Sequence, residues 1–390
     1  MDRRGIAVVT AGLCTFLNMY PPQAIMPALA DSFAVPPAQV GITLTATLLA
    51  VACVAPFVGS VSDRLGRKRL IAGACFALVM PTLLIAFAGS LHTMILLRFA
   101  QGLLLPFIFA VTVGYIGDET TGVEGIRLAG AYALGTICGG FGGRFIAGIA
   151  ADLGGWRSAF MVLAVITLAG ASLIALLLPA ERNFRPVTGG LGATLLTYRE
   201  HLANRRLMAT CGIGFCMLFA MVGTFTYVNL QLAGSPFFLN PAQLGFVFTV
   251  YLLGIFTAPL ATRMAMRVGR LPTLLLVAGM ALAGACLTLS AVLPVVIVGL
   301  AMVAGGLFVV QTLSLGFVAT VPRARSTAVG LYVTCYYIGG ALGGMAPAPL
   351  WRWAGWPGVV ALLATAMLLI AVLAACSWRV VKPAIRGPLH

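Results

Sequence analysis

Long uncharged apolar runs, following one another along nearly the whole chain, constrain this sequence more than any other feature. From residue 5 to residue 376 it consists of stretches of about 20 residues, mostly free of Asp, Glu, Lys and Arg, separated by short polar punctuation. In hydrocarbon a backbone must satisfy its own N–H and C=O groups, so only helices and closed barrels can cross. The runs lack the in-out alternation of barrel strands. They predict an all-α membrane protein with spans near residues 5–29, 40–61, 70–89, 93–117, 126–150, 158–178, 207–232, 242–262, 271–290, 293–318, 326–350 and 358–376. Composition agrees, with 61% hydrophobic and 8% charged residues against ~25% charged in soluble domains.

The net charge of +15 raises nucleic acid as a partner. The basic residues, however, sit in short clusters between runs of spanning length, so no nucleic-acid partner is expected. With both termini placed in the cytoplasm, every one of the 24 basic residues except Arg98, Arg144, Arg157 and Arg352 falls on the cytoplasmic side. An odd number of spans in either half would scramble that asymmetry. One long polar insertion divides the chain, giving an N-terminal six-helix bundle (1–179), a cytoplasmic linker (180–206), a C-terminal six-helix bundle (207–377) and a cytoplasmic tail (378–390). The halves echo one another. Tyr132, Gly139, Gly143 and Trp156 recur as Tyr332, Gly339, Gly343 and Trp356, and Arg64-Leu-Gly66-Arg67 recurs as Arg267-Val-Gly269-Arg270. Parallel repeats of this kind suit a transporter that rocks two bundles about a site near the midplane. The first run begins right after Asp2-Arg3-Arg4 and is long enough to span, so no cleavable signal is expected. The nine cysteines lie in apolar segments without a CxxC pair and read as packing residues.

Between the second and third spans stands Gly59-Ser-Val-Ser-Asp63-Arg64-Leu-Gly66-Arg67-Lys68-Arg69. This resembles the GxxxDRxGRK loop signature of the major facilitator superfamily at every fixed position. The resemblance implies twelve transmembrane helices in two pseudo-symmetric six-helix bundles, a small-molecule substrate moved by alternating access, no enzymatic activity, no cofactor and no metal. It also implies a conformational lock of Gly59, Asp63, Arg64, Gly66 and Arg67 with an acidic residue ending the fourth span, here Asp118, near Arg325-Ser326. The second-half copy has Met266 where Asp63 stands, which implies a weaker lock. Arg98-Phe-Ala-Gln101-Gly102 resembles the family's RxxxG signature. Gly135-Thr-Ile-Cys-Gly139-Gly140-Phe-Gly142-Gly143-Arg144 is similar to the glycine-rich signature of drug:proton antiporters, without its proline. With Gly154-Gly155-Trp156-Arg157 it looks like the arabinose-efflux-like permeases of bacterial inner membranes. The resemblance therefore implies efflux of a small organic molecule, driven by protons if coupled. A monomer surrounded by membrane lipid is expected.

Charge inside a span is costly, at least ~2.5–3.5 kcal/mol for Arg at a helix centre. Arg98 and Arg144 are both placed roughly 8–9 Å below the outer surface by the helical rise, which predicts an aqueous cavity, shared counter-ions such as Asp31 or Asp152, or structural and snorkelling roles. No acidic residue lies deep in a span. Asp31 is the one candidate proton carrier, with Arg98 or Arg144 tuning it. Polar and aromatic residues within spans define the expected substrate cavity. These are Asn18, Tyr20, Gln23, Arg98, Gln101, Tyr132 and Arg144 in the first half, and Tyr227, Asn229, Tyr251, Gln311, Tyr332, Tyr336 and Tyr337 in the second. Pro21-Pro22 is expected to break the first span and free carbonyls. This set suits a neutral or anionic amphiphile. Uptake or facilitated diffusion of an organic anion is the competing transport reading, and a transporter-derived sensor the reading from another class. A membrane enzyme is disfavoured, because the spans offer no His, Glu or Lys for a metal set or a general base.

Overall fold

The computed structural model describes residues 2–181, 200–318, 320 and 325–378, with the side chains of Ser60, Asp63, Arg64, Ala258, Arg325 and Ser326 outside the described set. Most of the linker 180–206 and nearly all of the tail 378–390 therefore lie outside the described residues. Among those described the chain is helical and has no strand. The first half comprises α1 (Arg3–Met19), α2 (Pro22–Phe33), α3 (Pro37–Val40), α4 (Ile42–Val54), α5 (Val58–Leu65), α6 (Arg67–Ile85), α7 (Leu91–Glu119) and α8 (Gly122–Leu177). The second comprises α9 (Arg205–Ala233), α10 (Pro241–Val247), α11 (Gly254–Val268), α12 (Arg270–Leu287), α13 (Leu293–Val318), α14 (Arg325–Met345) and α15 (Ala348–Ser377). A 3₁₀ segment, Phe248–Leu253, joins α10 to α11.

Nine helices among the described residues are long and apolar enough to cross a membrane, and a bent pair spanning Pro241 to Val268 makes a tenth. One of the nine, α8, has 56 residues, and a straight helix of that length would be about 84 Å long, nearly three hydrocarbon thicknesses. It is two spans in one run, because Gly154 (φ −140°) and Gly155 (φ +78°) leave helical geometry between them. The expected loop at 151–157 is thus a two-glycine break, with Gly155 supplying the left-handed φ that other residues adopt only under strain. The first span is broken instead. Pro21 and Pro22 lack the N–H groups a continuous helix would use, so α1 ends at Met19 and α2 starts at Pro22. With α8 counted as two, and α1 with α2 as one, the chain crosses twelve times.

The repeated glycines have a shared purpose. Along α8, a Cβ on Gly135, Gly139 or Gly143 would lie within 2.4 Å of the carbonyl oxygens of Val9, Leu13 or Leu17 in α1. In the second half, Gly339 and Gly343 of α14 press in the same way on Phe215 and Phe219 of α9. The offset of 200 positions is therefore one helix pair built twice, with backbones close enough to touch.

The two halves meet along a seam that is tight at one end. There Gly41 lies against the Gly344 carbonyl and Gly148 against that of Pro241, and Thr45 Oγ1 donates to Ala341 O at 2.6 Å. The opposite end carries the Arg67 loop and the end of α7.

Candidate functional site

Beneath the tight end the seam widens into a cavity of about 390 Å³, within the usual size range of small-molecule sites. Its walls come from both halves. Phe16, Tyr20, Phe109, Tyr132 and Arg144 face Met217, Met221, Tyr251, Phe308, Gln311 and Tyr336. It runs on toward Val113 and Leu315, close to the loop-bearing ends of α7 and α13. No Asp, Glu, His or Lys is among its lining residues.

Arg144 sits where it does because Gly143, one residue earlier, lets α8 seat against Leu17 of α1. Its guanidinium therefore reaches the break after Met19. Nε donates to Gln23 Oε1 at 2.7 Å and Nη1 to the Gly140 carbonyl. The guanidinium carbon lies 4.4 Å from the centre of the Tyr20 ring, 4.5 Å from that of Tyr251 and 4.7 Å from that of Phe248. Each such contact is worth ~0.5–2 kcal/mol. Among the described residues no carboxylate pairs with Arg144. Its Nη2 and the hydroxyls of Tyr20 and Tyr251 also have no hydrogen-bond partner there. The cavity thus presents a cation and two phenols to whatever enters it.

Arg98 is equally buried, but it is enclosed within the first half and does not line the cavity. Nη1 donates to Asn18 O at 2.7 Å and Gln101 Oε1 at 2.6 Å, and Nη2 to Met19 O at 2.5 Å. Those backbone oxygens are the carbonyls freed by the proline break, at the negative end of the α1 dipole. Gln101 and Asn18 continue the network through Thr82, and Asn18 Nδ2 reaches Thr167 Oγ1 at 2.8 Å. Arg98, Asn18 and Gln101 are accordingly a polar brace between helices. Expected on the substrate cavity, they are enclosed here and do not line it.

The other expected cavity residues divide similarly. Tyr20, Tyr132, Arg144, Tyr251, Gln311 and Tyr336 are on the walls, with Gln311 Nε2 donating to Tyr336 Oη at 3.1 Å. Gln23 and Asn229 are sealed at the seam just beyond the cavity, joined by Asn229 Nδ2 to Gln23 O at 2.5 Å. Tyr227 is buried, its hydroxyl donating to Gly344 O at 3.1 Å. Tyr332 packs with Leu207, Cys211 and Val318. Tyr337 meets Phe109 across the seam at 5.8 Å and Tyr336 edge-on. Asp31 is exposed near the end of α2 and makes no ion pair among the described residues. The expected tuning of Asp31 by Arg98 or Arg144 has no contact to act through.

At the loop-bearing end, Arg67 Nη2 pairs with Asp118 Oδ2 at 2.5 Å. The Asp63 and Arg64 side chains, and the expected approach to Arg325-Ser326, lie outside the described residues. Gly59 has open space where a Cβ would stand, so it makes no close helix approach here. Gly66 adopts φ +84° before α6, and beside it Glu181 accepts the backbone N–H groups of Arg67 and Lys68 at 3.1 and 3.2 Å. An anion at a helix N-terminus is favoured there, and the residue that supplies it is Glu181 at the start of the linker. Sequence reading missed Glu181. It also missed the phenylalanines of the cavity and of the Arg144 cage, because it weighted tyrosines, amides and arginines and named no Phe for the cavity. The signals were an acidic residue just past a span and aromatics at the level of Tyr20 and Tyr251.

Residues 8–344 match the family model described as Major Facilitator Superfamily. The chain belongs to that superfamily. It is a transporter and not an enzyme, and its substrate is a small molecule. Among relatives, the inner membrane transport protein YnfM of Escherichia coli (strain K12) is 31% identical over 94% of this chain and 88% of that protein. The MFS-type transporter YybF of Bacillus subtilis (strain 168) is 30% identical over 94% and 91%. A multidrug resistance protein B homolog of Mycobacterium tuberculosis is 28% identical over 56% of this chain and 44% of that protein. Among solved structures, a bacterial homologue of the human lysosomal transporter Spinster, in an inward-facing and occupied conformation, aligns with TM-score 0.76 at 14% identity, covering 96% of this chain and 95% of that one. The human organic anion transporter MFSD10 aligns with TM-score 0.70 at 18% identity, covering 95% and 99%. Both likenesses concern the fold.

Proposed function

We propose that this superfamily member exports small amphipathic organic anions across the bacterial inner membrane by alternating access. One observation carries the reading: the Arg144 guanidinium borders a largely apolar cavity, rich in aromatic rings, that has no acidic residue on its walls. A cation in that setting favours an anion, because an anionic group regains by pairing what burial costs the guanidinium. The phenols of Tyr20 and Tyr251 add donors, and Phe16, Phe109, Phe308, Met217 and Met221 suit an apolar or aromatic body.

Direction follows from charge. The arginine-rich loops belong in the cytoplasm by the positive-inside rule, which puts both termini there and makes the wide end of the cavity the cytoplasmic one. An anion leaving a cell that is negative inside gains ~2.3 kcal/mol per 100 mV. Export therefore has a driving force without a proton carrier, and the absence of acidic groups from the cavity wall supports it over proton exchange. The multidrug-resistance relative points the same way.

Proteoliposomes with a potassium diffusion potential test this reading. A fixed-charge aryl sulfonate should move toward the positive side, and Arg144→Ala should abolish the movement. Equal transport of an aryl ammonium of the same size, or an unaffected Arg144→Ala, overturns the anion assignment. Accumulation only toward the loop-bearing side would assign uptake instead.

A further inference from the structure

Gln23 lies between the cavity cation and the closure of the two halves. It is fully buried at the start of α2, and each of its side-chain polar groups is engaged. Oε1 accepts from Arg144 Nε at 2.7 Å, and Nε2 donates to Thr226 Oγ1 at 2.9 Å. Its backbone oxygen accepts from Asn229 Nδ2 at 2.5 Å. Arg144 belongs to the first half, Thr226 and Asn229 to α9 of the second. The orientation of the amide is dictated by chemistry, since a guanidinium only donates and must meet the oxygen. The same guanidinium lies against Tyr20 from its own half and against Phe248 and Tyr251 from the other. The group that faces substrate is therefore also part of what holds the tight end shut.

We propose that Gln23 is a positioning residue of the transport cycle: it holds Arg144 toward the cavity and ties that pose to closure of the tight end, so that an anion on Arg144 loosens the closure. The ligand in this proposal rests on the anion reading above. The ring faces attract a bare positive charge, and an anion at Nη2 removes much of that attraction. An anion that also draws the guanidinium toward the cavity lengthens its bond to Gln23. Ligand and closed tight end then compete for one cation, which is the differential interaction a ligand needs to shift a two-state equilibrium.

Two substitutions separate positioning from simple packing. Gln23→Glu keeps an acceptor for Arg144 and, by rotation of the Thr226 hydroxyl, a bond across the seam, but neutralises the cation. Gln23→Leu keeps the volume and loses both bonds. Spin labels at Ser32 and Ser235, exposed on opposite sides of the tight end, report the closure in full-length protein, and titration with an aryl sulfonate reports affinity. In the wild type the sulfonate should lengthen the distance. Gln23→Leu should lengthen it without ligand and change affinity by less than about tenfold, because lost positioning of Arg144 and relief of the competition oppose one another. Gln23→Glu should keep the short distance and weaken binding at least thirtyfold. Variants that change both readouts alike would reduce Gln23 to packing, and a short distance in Gln23→Leu, with the wild type still binding sulfonate, overturns the positioning role while leaving the anion reading intact. A wild type that binds no sulfonate, with Gln23→Leu still open, overturns the anion reading and the ligand named here.

Discussion

Arg98 and Arg144 are matched in burial and chemistry, yet their surroundings give them different jobs. Arg98 is surrounded by oxygen acceptors of its own half, two of them carbonyls released by the break in the first span. Arg144 has two acceptors and three ring faces, and one side of it borders the cavity. The lesson is that burial alone does not mark a functional charge in a membrane. What matters is whether the partners come from one rigid body or from two, and whether a cavity borders the donors that remain, since Arg98 Nε also lacks a partner among the described residues but is enclosed.

The largest effect expected from this contrast is at Arg144. Its replacement by Ala should lower affinity for an aryl sulfonate at least a hundredfold, while a Lys retains part of it because the charge stays and the planar fork is lost. Isothermal titration in detergent measures both. Comparable affinity in Arg144→Ala would end the contrast. Next is Arg98→Met, which leaves Asn18 O, Met19 O and Gln101 Oε1 without their donor. At ~1–3 kcal/mol for each unsatisfied buried group, folding should weaken by about 3 kcal/mol or more, seen as a lower thermal midpoint, with sulfonate affinity within threefold of wild type. A large loss of affinity at unchanged stability would move Arg98 into the binding site. A smaller effect belongs to Gly344→Val. A side chain there meets the Gly41 carbonyl and the Thr45 hydroxyl, so the tight end should be propped open in spin-label distances while the protein still folds. Arg67→Ala at the opposite end removes the pair with Asp118 and should alter transport rate only a few-fold, since that pair is partly exposed. Asp31→Asn should leave sulfonate transport unchanged, and a loss of proton-driven accumulation in that variant would assign Asp31 as the proton carrier.

The twelve spans were legible in the sequence because lipid imposes them on composition directly, the repeat because its residues recur at a constant offset, and the family because a loop resembles its signature. Length, charge asymmetry and a loop motif need no side-chain packing to be read. The pairing of Gly139 with Gly339 and of Gly143 with Gly343 was visible as an offset, and its physical meaning, two helix pairs in backbone contact, was the natural consequence. The candidate site was half legible. Tyr20, Tyr132, Arg144, Tyr251, Gln311 and Tyr336 stand out as polar or aromatic residues in apolar surroundings, and they reach the cavity. Asn18, Arg98 and Gln101 stand out for the same reason and do not, because hydropathy reports how costly a group is and not which way it points. Only the rotation of α1 and α7 about their axes decides that, and it is set by contacts distant in sequence. Glu181 shows in the letters only as an acidic residue just past a span, because its partners are the backbone N–H groups of Arg67 and Lys68.

The seal at Gly41 and Gly344 has a consequence for leakage. Where two main chains touch with only the Thr45 hydroxyl beside them, little can swing aside, so the halves part there chiefly by moving as whole bodies. A gap of about 0.5–1 Å already forfeits a quarter to a half of the dispersion attraction between bare backbones. The barrier to water and ions at that end is therefore close to a two-position valve, shut or open, with little population in the cracked geometries through which small ions would slip.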